Sequence, residues 1–208
     1  MPARLRPTAP IAVELILVGD PGRALMLAQE LLVQPKMSNH ARGLWGYTGV
    51  THKGEELTVQ STGMGGPSAA VVLADLVELG VRRAIRIGTC TSLGSLGLAD
   101  LLIVEDANSQ RPDEELTSAL AEALPDAHRG AVVSLDTLYR PERDLPSALA
   151  EAADMQTAGL LAAAAEHGVA VAALLIVTKK SDSGQLQDEE LEEVARRAGA
   201  VAATVLSP

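Results

Sequence analysis

The sequence predicts an α/β domain built on a mixed, largely parallel β-sheet flanked by helices. Three observations carry this. Short apolar runs alternate with helix-patterned segments along the chain. Several of those runs are apolar throughout, as strands covered on both faces must be. One pair of runs flanks a hairpin signal, which adds antiparallel strands.

Taken in order, Val13–Val18 (VELILV) is a buried strand that turns at Gly19-Asp20-Pro21. Pro21 suits the first turn of a helix, which runs to about Leu32 and is stopped by Gln34-Pro35. Leu44 to Val50 and Leu57 to Ser61 flank His52-Lys-Gly-Glu55 as a β-hairpin. Gly63-Met-Gly-Gly-Pro-Ser68 is a glycine-rich loop opening a helix from about Ala69 to Leu79, which stops at Gly80. Arg83 to Gly88 and Ala99 to Glu105 read as strands, and Pro112 to Leu124 as an acidic surface helix. Gly130 to Ser134 is a strand and Glu142 to Ala152 a helix. Thr157 to His167 is an alanine-rich helix closed by Gly168, Val169 to Thr178 a buried strand, and Gln187 to Leu206 the final helix. No repeat, linker or low-complexity tract divides residues 1–208, so one domain is the economical reading.

Composition narrows the function. The 208 residues carry 17 Lys+Arg against 27 Asp+Glu, a net charge of -10, so general binding of nucleic acid is disfavoured. Trp45, Tyr47 and Tyr139 are the whole aromatic content, which argues against stacked aromatic platforms. The single cysteine, Cys90, excludes an intramolecular disulfide and a multi-cysteine zinc site, and fits a reducing cytoplasm. The longest apolar stretch, Gly168 to Val177, is too short to span a bilayer, and no secretory leader is legible.

In doubly covered sheets ligands bind beyond the carboxyl ends of the strands. Three such ends here carry glycine with a polar or cationic residue: Gly19-Asp-Pro-Gly-Arg23, Gly63-Met-Gly-Gly-Pro-Ser68 and Arg86-Ile-Gly-Thr-Cys90. Each alone is weak, since Gly-Asp-Pro-Gly is also a common structural turn and a glycine after a strand usually marks tight packing. Together, two arginines and a threonine at separate strand ends of an acidic protein point to a clamp on a phosphate-sized anion.

Gly19-Asp-Pro-Gly-Arg-Ala24, Arg42-Gly-Leu-Trp-Gly-Tyr-Thr-Gly49, Ser61-Thr-Gly-Met-Gly-Gly-Pro-Ser-Ala69 and Arg86-Ile-Gly-Thr89 resemble the hexameric nucleoside phosphorylase family, that of bacterial purine nucleoside phosphorylase and uridine phosphorylase. The likeness is dense from Leu15 to Val104. It returns at Ser134-Leu-Asp-Thr-Leu-Tyr139 and from Asp154 to Thr178. The resemblance implies phosphorolysis, in which inorganic phosphate displaces the base from the ribose anomeric carbon without metal or organic cofactor. By position, Gly19, Arg23, Arg86 and Thr89 would bind phosphate. Arg42 would bind phosphate in a neighbouring subunit, which implies a homo-oligomer of dimer units, usually three dimers. Fixed cations that hold the nucleophile in line suit such chemistry. Otherwise Arg42 reads as a surface ion-pair residue.

The nucleoside side departs from the family. Where the family has Glu-Met-Glu, this chain has Asp154-Met155-Gln156. Gln156 stands where a carboxylate would accept from ribose hydroxyls and lacks the charge, so weaker ribose binding or a changed sugar preference is expected. Met155 would pack on the sugar, or else fill the core. Lys179 follows Thr178 where purine enzymes of the family place a base-side Asp. A lysine could steady a departing pyrimidine anion, which favours uridine, although the family's uracil-reading insertion is missing. Leu138 stands where the purine branch stacks an aromatic on the base. No counterpart of the family's N-terminal histidine is found, and His40, His52, His128 and His167 match no catalytic position. The expected function is therefore a uridine-type phosphorylase using Arg86, Gln156 and Lys179. The alternatives are a purine nucleoside phosphorylase and a catalytically impaired binding or structural subunit.

Overall fold

In the computed structural model, residues 4–135, 137, 150–180 and 184–207 are described. β1 (Glu14–Val18) carries Leu15, Ile16, Leu17 and Val18, all fully buried. Its side chains alternate between two cores. Leu15 and Leu17 join the core under α2 (Gly66–Glu78) and α4 (Thr157–His167). Ile16 and Val18 join the core under α1 (Pro21–Leu31), α3 (Glu114–Ala123) and α5 (Asp188–Leu206). Burial on both faces is why the run needs apolar residues at every position.

The expected helices and strands form close to where the sequence places them, with differences of physical interest. α1 ends at Leu31 and the chain passes directly into β2 (Leu32–Asn39), a strand not expected from the sequence, with Pro35 inside it. Proline is tolerated because β2 is an edge strand whose register slips between Val33 and Lys36, so the missing N–H interrupts no regular ladder. Gln34 takes φ 49° there. β3 (Gly46–Thr51) and β4 (Glu56–Ser61) form the expected antiparallel hairpin. β5 (Arg83–Ser92) runs past Gly88, four residues beyond its expected end. β6 (Leu101–Ala107) and β7 (His128–Ser134) follow. Of the helix expected over Glu142 to Ala152, residues 142–149 lie outside the described residues, and Ala152 begins β8 (Ala152–Asp154) instead. Glu151 N donates to Ala131 O, and this β7 pairing fixes the chain as extended there. β9 (Ala170–Lys180) and a short β10 (Gly184–Gln185) complete the sheet.

The strand order is β10-β9-β6-β7-β8-β5-β1-β4-β3-β2, with β9 also paired to β5. β4, β1, β5 and β9 are mutually parallel, and antiparallel pairing lies toward the β2–β3–β4 wing and around β8, β6 and β10. The pairings β5–β9, β9–β6, β6–β7, β7–β8 and β8–β5 close a ring. β5 leaves β1 after Ile87, and β8 takes that side at Thr91 and Ser92. Because β8 runs antiparallel to β5, the residues after it travel back along β5 toward Arg86. No helix among the described residues is long and apolar enough to cross a membrane.

Candidate active site

The carboxyl ends of β1, β4 and β5 meet at one edge of the sheet. Thr62 N donates to Val18 O at 2.8 Å, tying β4's end to β1's. Gly19 lies against Gly63, whose carbonyl oxygen would be 3.5 Å from a Cβ at position 19. The glycine loop turns through Gly63 (φ 71°) and Gly65 (φ 84°), conformations open to glycine, and Ser68 Oγ donates to Thr62 O at 2.6 Å. α2 then starts with no side-chain cap on its N-terminus. α1 differs, because Asp20 caps it by accepting from Arg23 N at 2.8 Å. The structural reading of Gly-Asp-Pro-Gly thus holds for Asp20, whose cap engages the Arg23 backbone and not its side chain.

Arg23 is half-buried, and its guanidinium has no hydrogen bond or ion pair to any described residue. Burial holds its pKa below the usual arginine value, Asp20 opposes that, and the positive charge of Arg86 adds to the lowering. The two guanidinium groups are thus within electrostatic reach of each other.

Arg86 is 4% exposed, and its partners are all named by the chain that returns along β5. Nη2 donates to Asp154 Oδ2 at 3.0 Å, Nε to Thr157 Oγ1 at 3.1 Å, and Nη1 to Gln156 Oε1. Asp154 is 1% exposed and also accepts from Thr157 N at 3.0 Å, from Thr157 Oγ1 at 2.6 Å and from Ser134 Oγ at 2.5 Å. The Ser134 hydroxyl in turn accepts from Ala158 N at 2.9 Å. Asp154 and Ser134 therefore cap α4 while they pair Arg86. The guanidinium lies over Gly88, where a Cβ would stand 2.5 Å from Nη2 and 2.7 Å from Leu175 Cδ2. Glycine is required at that position by the close approach of the side chain two residues before it.

Gln156 is 3% exposed and is the hub between this network and the glycine loop. Its Nε2 donates to Gly63 O at 2.9 Å and Gly65 O at 3.2 Å. Its Oε1 faces Arg86 Nη1 and lies 3.0 Å from the Thr62 hydroxyl, which is also 3.0 Å from Val18 O. Its donors and acceptor are engaged within the chain, so in this arrangement it offers no free oxygen to a ribose hydroxyl.

The remaining expected residues are spread around this centre. Strand parity puts Thr89, half-buried, on the face opposite Arg86, the face that α1 covers. Arg23 and Thr89 thus approach the edge from one side of the sheet and Arg86 from the other. Met155 points away from Arg86 and lines a cavity of about 310 Å³ with Pro67, Asn108, Ser134 and Gly159. Thr178 Oγ1 donates to Cys90 O at 3.3 Å, locking the ends of β9 and β5 together. Lys179 is exposed, opposite Thr91 on β5 and Gln185 on β10, without a hydrogen bond or ion pair to a described residue. Arg42 is exposed in a short turn (Ala41–Gly43), at φ 60° and ψ 18°, likewise without a partner among the described residues. Leu138 lies outside the described residues. The sequence reading gave no role to Asp154, Thr157, Ser134 or Thr62. No helix-capping signature marks them in the sequence, since Asp154 lies two residues before the N-cap Gln156 and accepts from the first helical N–H, that of Thr157.

Comparison with known proteins agrees with this geometry. A sequence model of the Phosphorylase superfamily matches residues 15–111 and 108–208. A DeoD-type purine nucleoside phosphorylase from Caldanaerobacter subterraneus subsp. tengcongensis is 31% identical over 205 residues, covering 86% of this chain and 88% of that one. One from Alkaliphilus metalliredigens is 32% identical over 209 residues, with 86% and 88% covered. The crystal structure of purine nucleoside phosphorylase from Toxoplasma gondii in complex with immucillin-H superposes with a TM-score of 0.82 at 22% identity, covering 94% of this chain and 90% of that chain, which is likeness of fold. The fold and the sequence matches lead to one assignment: this chain is a member of the Phosphorylase superfamily.

Proposed function

We propose that the protein is a nucleoside phosphorylase acting on purine nucleosides. The carrying observation is the half-buried Arg23 guanidinium at the end of β1, without a hydrogen bond or ion pair to a described residue and within electrostatic reach of Arg86. Inorganic phosphate is the co-substrate, and the reading needs no metal or organic cofactor. Gly19, Arg23, Arg86 and Thr89 hold phosphate against the sugar. A phosphate oxygen forms the new bond to the anomeric carbon as the carbon–nitrogen bond breaks. The base leaves with the electron pair of that bond and takes a proton from solvent, giving ribose 1-phosphate. The fixed cations do not reorganise as charge moves, which is where such a site gains rate. Arg42 completes the site of a neighbouring copy, so the working form is a homo-oligomer of dimer units, and light scattering should find no population of 21.6 kDa monomer alone. A cytoplasmic location fits the lone free thiol of Cys90.

By the resemblance, Met155, Thr178 and Lys179 serve the nucleoside side. The names of the relatives, purine nucleoside phosphorylases, support a purine substrate, and the uridine preference expected from Lys179 gains no support from them. We assign Gln156 to holding Arg86 and the glycine loop in register. Its full engagement also favours a second reading, an impaired member that binds phosphate without turnover.

The test is phosphorolysis of inosine, adenosine, uridine and thymidine, with and without phosphate, followed by chromatography of the free base. Phosphate-dependent release of hypoxanthine or adenine is expected. Release of uracil alone would transfer the assignment to the uridine type. Release without phosphate would overturn phosphorolysis. No release, with phosphate still binding in calorimetry, would establish the impaired subunit.

A further inference from the structure

The turn that carries Arg42 is gripped from behind by two side-chain amides. Asn39 and Gln60 are both 0% exposed. Asn39 Nδ2 donates to the carbonyls of Ala41, at 3.4 Å, and Leu44, while its Oδ1 accepts from Arg6 N at 2.8 Å. Gln60 Nε2 donates to Leu44 O at 2.9 Å, to Ser61 O at 2.8 Å and, more weakly, to Trp45 O at 3.3 Å. The two amides come from different strands, β2 and β4, and converge on the same Leu44 carbonyl. The Leu44 side chain reaches the glycine loop, with Cδ2 3.4 Å from where a Cβ on Gly63 would stand.

Gln60 can reach only because position 46 is glycine, since a Cβ there would lie 2.1 Å from Gln60 Oε1. That oxygen is buried and has no hydrogen-bond partner among the described residues. An unmet buried acceptor is destabilising, so the amide is a poor choice for packing alone and is accounted for by what its nitrogen holds. What it holds is a turn with Arg42 at φ 60°, in the left-handed region, with the guanidinium exposed and unpartnered among the described residues. Such a backbone persists only where the surroundings over-determine it.

We infer that Asn39 and Gln60 are positioning residues for Arg42, fixing its turn so that the guanidinium is presented outward, ready for a phosphate bound to a neighbouring copy. This rests on the reading of Arg42 given above. Holding the backbone in advance removes ordering cost at the moment the anion is bound. The two residues act on phosphate capture and leave the nucleoside contacts alone.

The test uses the full-length oligomer and whichever of the four nucleosides it cleaves. Gln60→Met keeps the side-chain volume and removes both donors. Asn39→Asp keeps the acceptor for Arg6 N and removes the donors to Ala41 and Leu44. Each should raise KM for inorganic phosphate about tenfold with little change in KM for nucleoside. In an Arg42→Ala background, Gln60→Met should change the phosphate KM by less than about twofold, because the residue through which it acts is gone. A full effect persisting in that background, or an unmoved phosphate KM in both single variants, overturns the proposal. If Arg42→Ala itself leaves the phosphate KM unchanged, the reading of Arg42 fails, and the clamp is judged by hydrogen exchange. The amides of Gly43 and Leu44, bonded to His40 O at 3.3 Å and Ala41 O at 3.1 Å, should exchange about tenfold faster in Asn39→Asp. Unchanged exchange overturns the clamp regardless of activity.

Discussion

Arg86 and Arg42 are the same residue type placed in opposite surroundings. Arg86 lies in the sheet interior, and three side chains of one returning segment, Asp154, Gln156 and Thr157, take up three of its five donors. Arg42 lies on the surface at φ 60° with no partner among the described residues. The first arrangement is what physics demands of any buried charge, since an unpaired guanidinium away from water is strongly unfavourable. The second leaves a charged side chain in water on a left-handed backbone, a conformation shared with exposed Gln34 at φ 49°, so its folding contacts say little about its charge. The difference teaches that any functional role of Arg86 is tied to its structural one, so that its loss cannot separate them. Arg42 is the cleaner functional probe.

The largest expected effect is at the buried end. Asp154→Asn leaves the Arg86 charge without its carboxylate and should lower unfolding free energy by about 3–5 kcal/mol in chemical denaturation. A loss below about 1 kcal/mol would mean that Gln156 and Thr157 carry the guanidinium by themselves, and the contrast with Arg42 would weaken. Gly88→Ala comes next. The added methyl must displace Arg86 Nη2 and Leu175 Cδ2, which stand 2.5 and 2.7 Å away, at a cost of about 1–3 kcal/mol together with loss of phosphorolysis. Full activity in this variant would show that the guanidinium can serve from another pose.

Cys90 reports on the same buried end. Burial, with the Asp154 carboxylate adding to it and Arg86 opposing it, pushes its thiol up to about 12. An unfolded cysteine ionises near about 8.5, so between there and 12 the unfolded chain holds fewer protons and stability falls as pH rises. Denaturation at pH 8 and pH 10 should show the wild type losing about 1–2 kcal/mol more than Cys90→Ala over that interval. Equal losses would place the thiol in a wetter site than its 3% exposure indicates. The smallest stability effect belongs to Arg42→Gly. Relief of left-handed strain and the entropy of glycine nearly cancel, so unfolding free energy should stay within about 0.5 kcal/mol. The phosphate KM should nevertheless rise. A large stability change would erase the comparison, because Arg42 would then have a partner within its own chain.

Local signals were sufficient for most of the architecture. The all-apolar run at Leu15–Val18 required a strand covered on both sides, and two cores cover it. Pro21 and Gly168 bounded their helices by stereochemistry that does not depend on the rest of the chain. The glycine motifs located the turns at the ends of β1 and β4 because φ above zero and close backbone approach are local requirements. The β2 strand was not legible, because a proline is acceptable in a strand only when that strand is an edge, and edge position is a property of the assembled sheet.

Side-chain allegiance was decided in the same non-local way. Residue by residue, Gln156 reads as a weakened ribose acceptor. In the folded chain it is bonded to Arg86, 70 positions away, and to Gly63 and Gly65, more than 90 positions away. Asn39 and Gln60 carry no motif, yet two strands bring their amides onto one carbonyl. Sequence determined which residues could meet an anion and which backbone turns would let them. Only the tertiary structure decided which donors and acceptors remained free, because hydrogen-bond capacity is finite and is consumed first by whatever partners the fold brings within 3 Å.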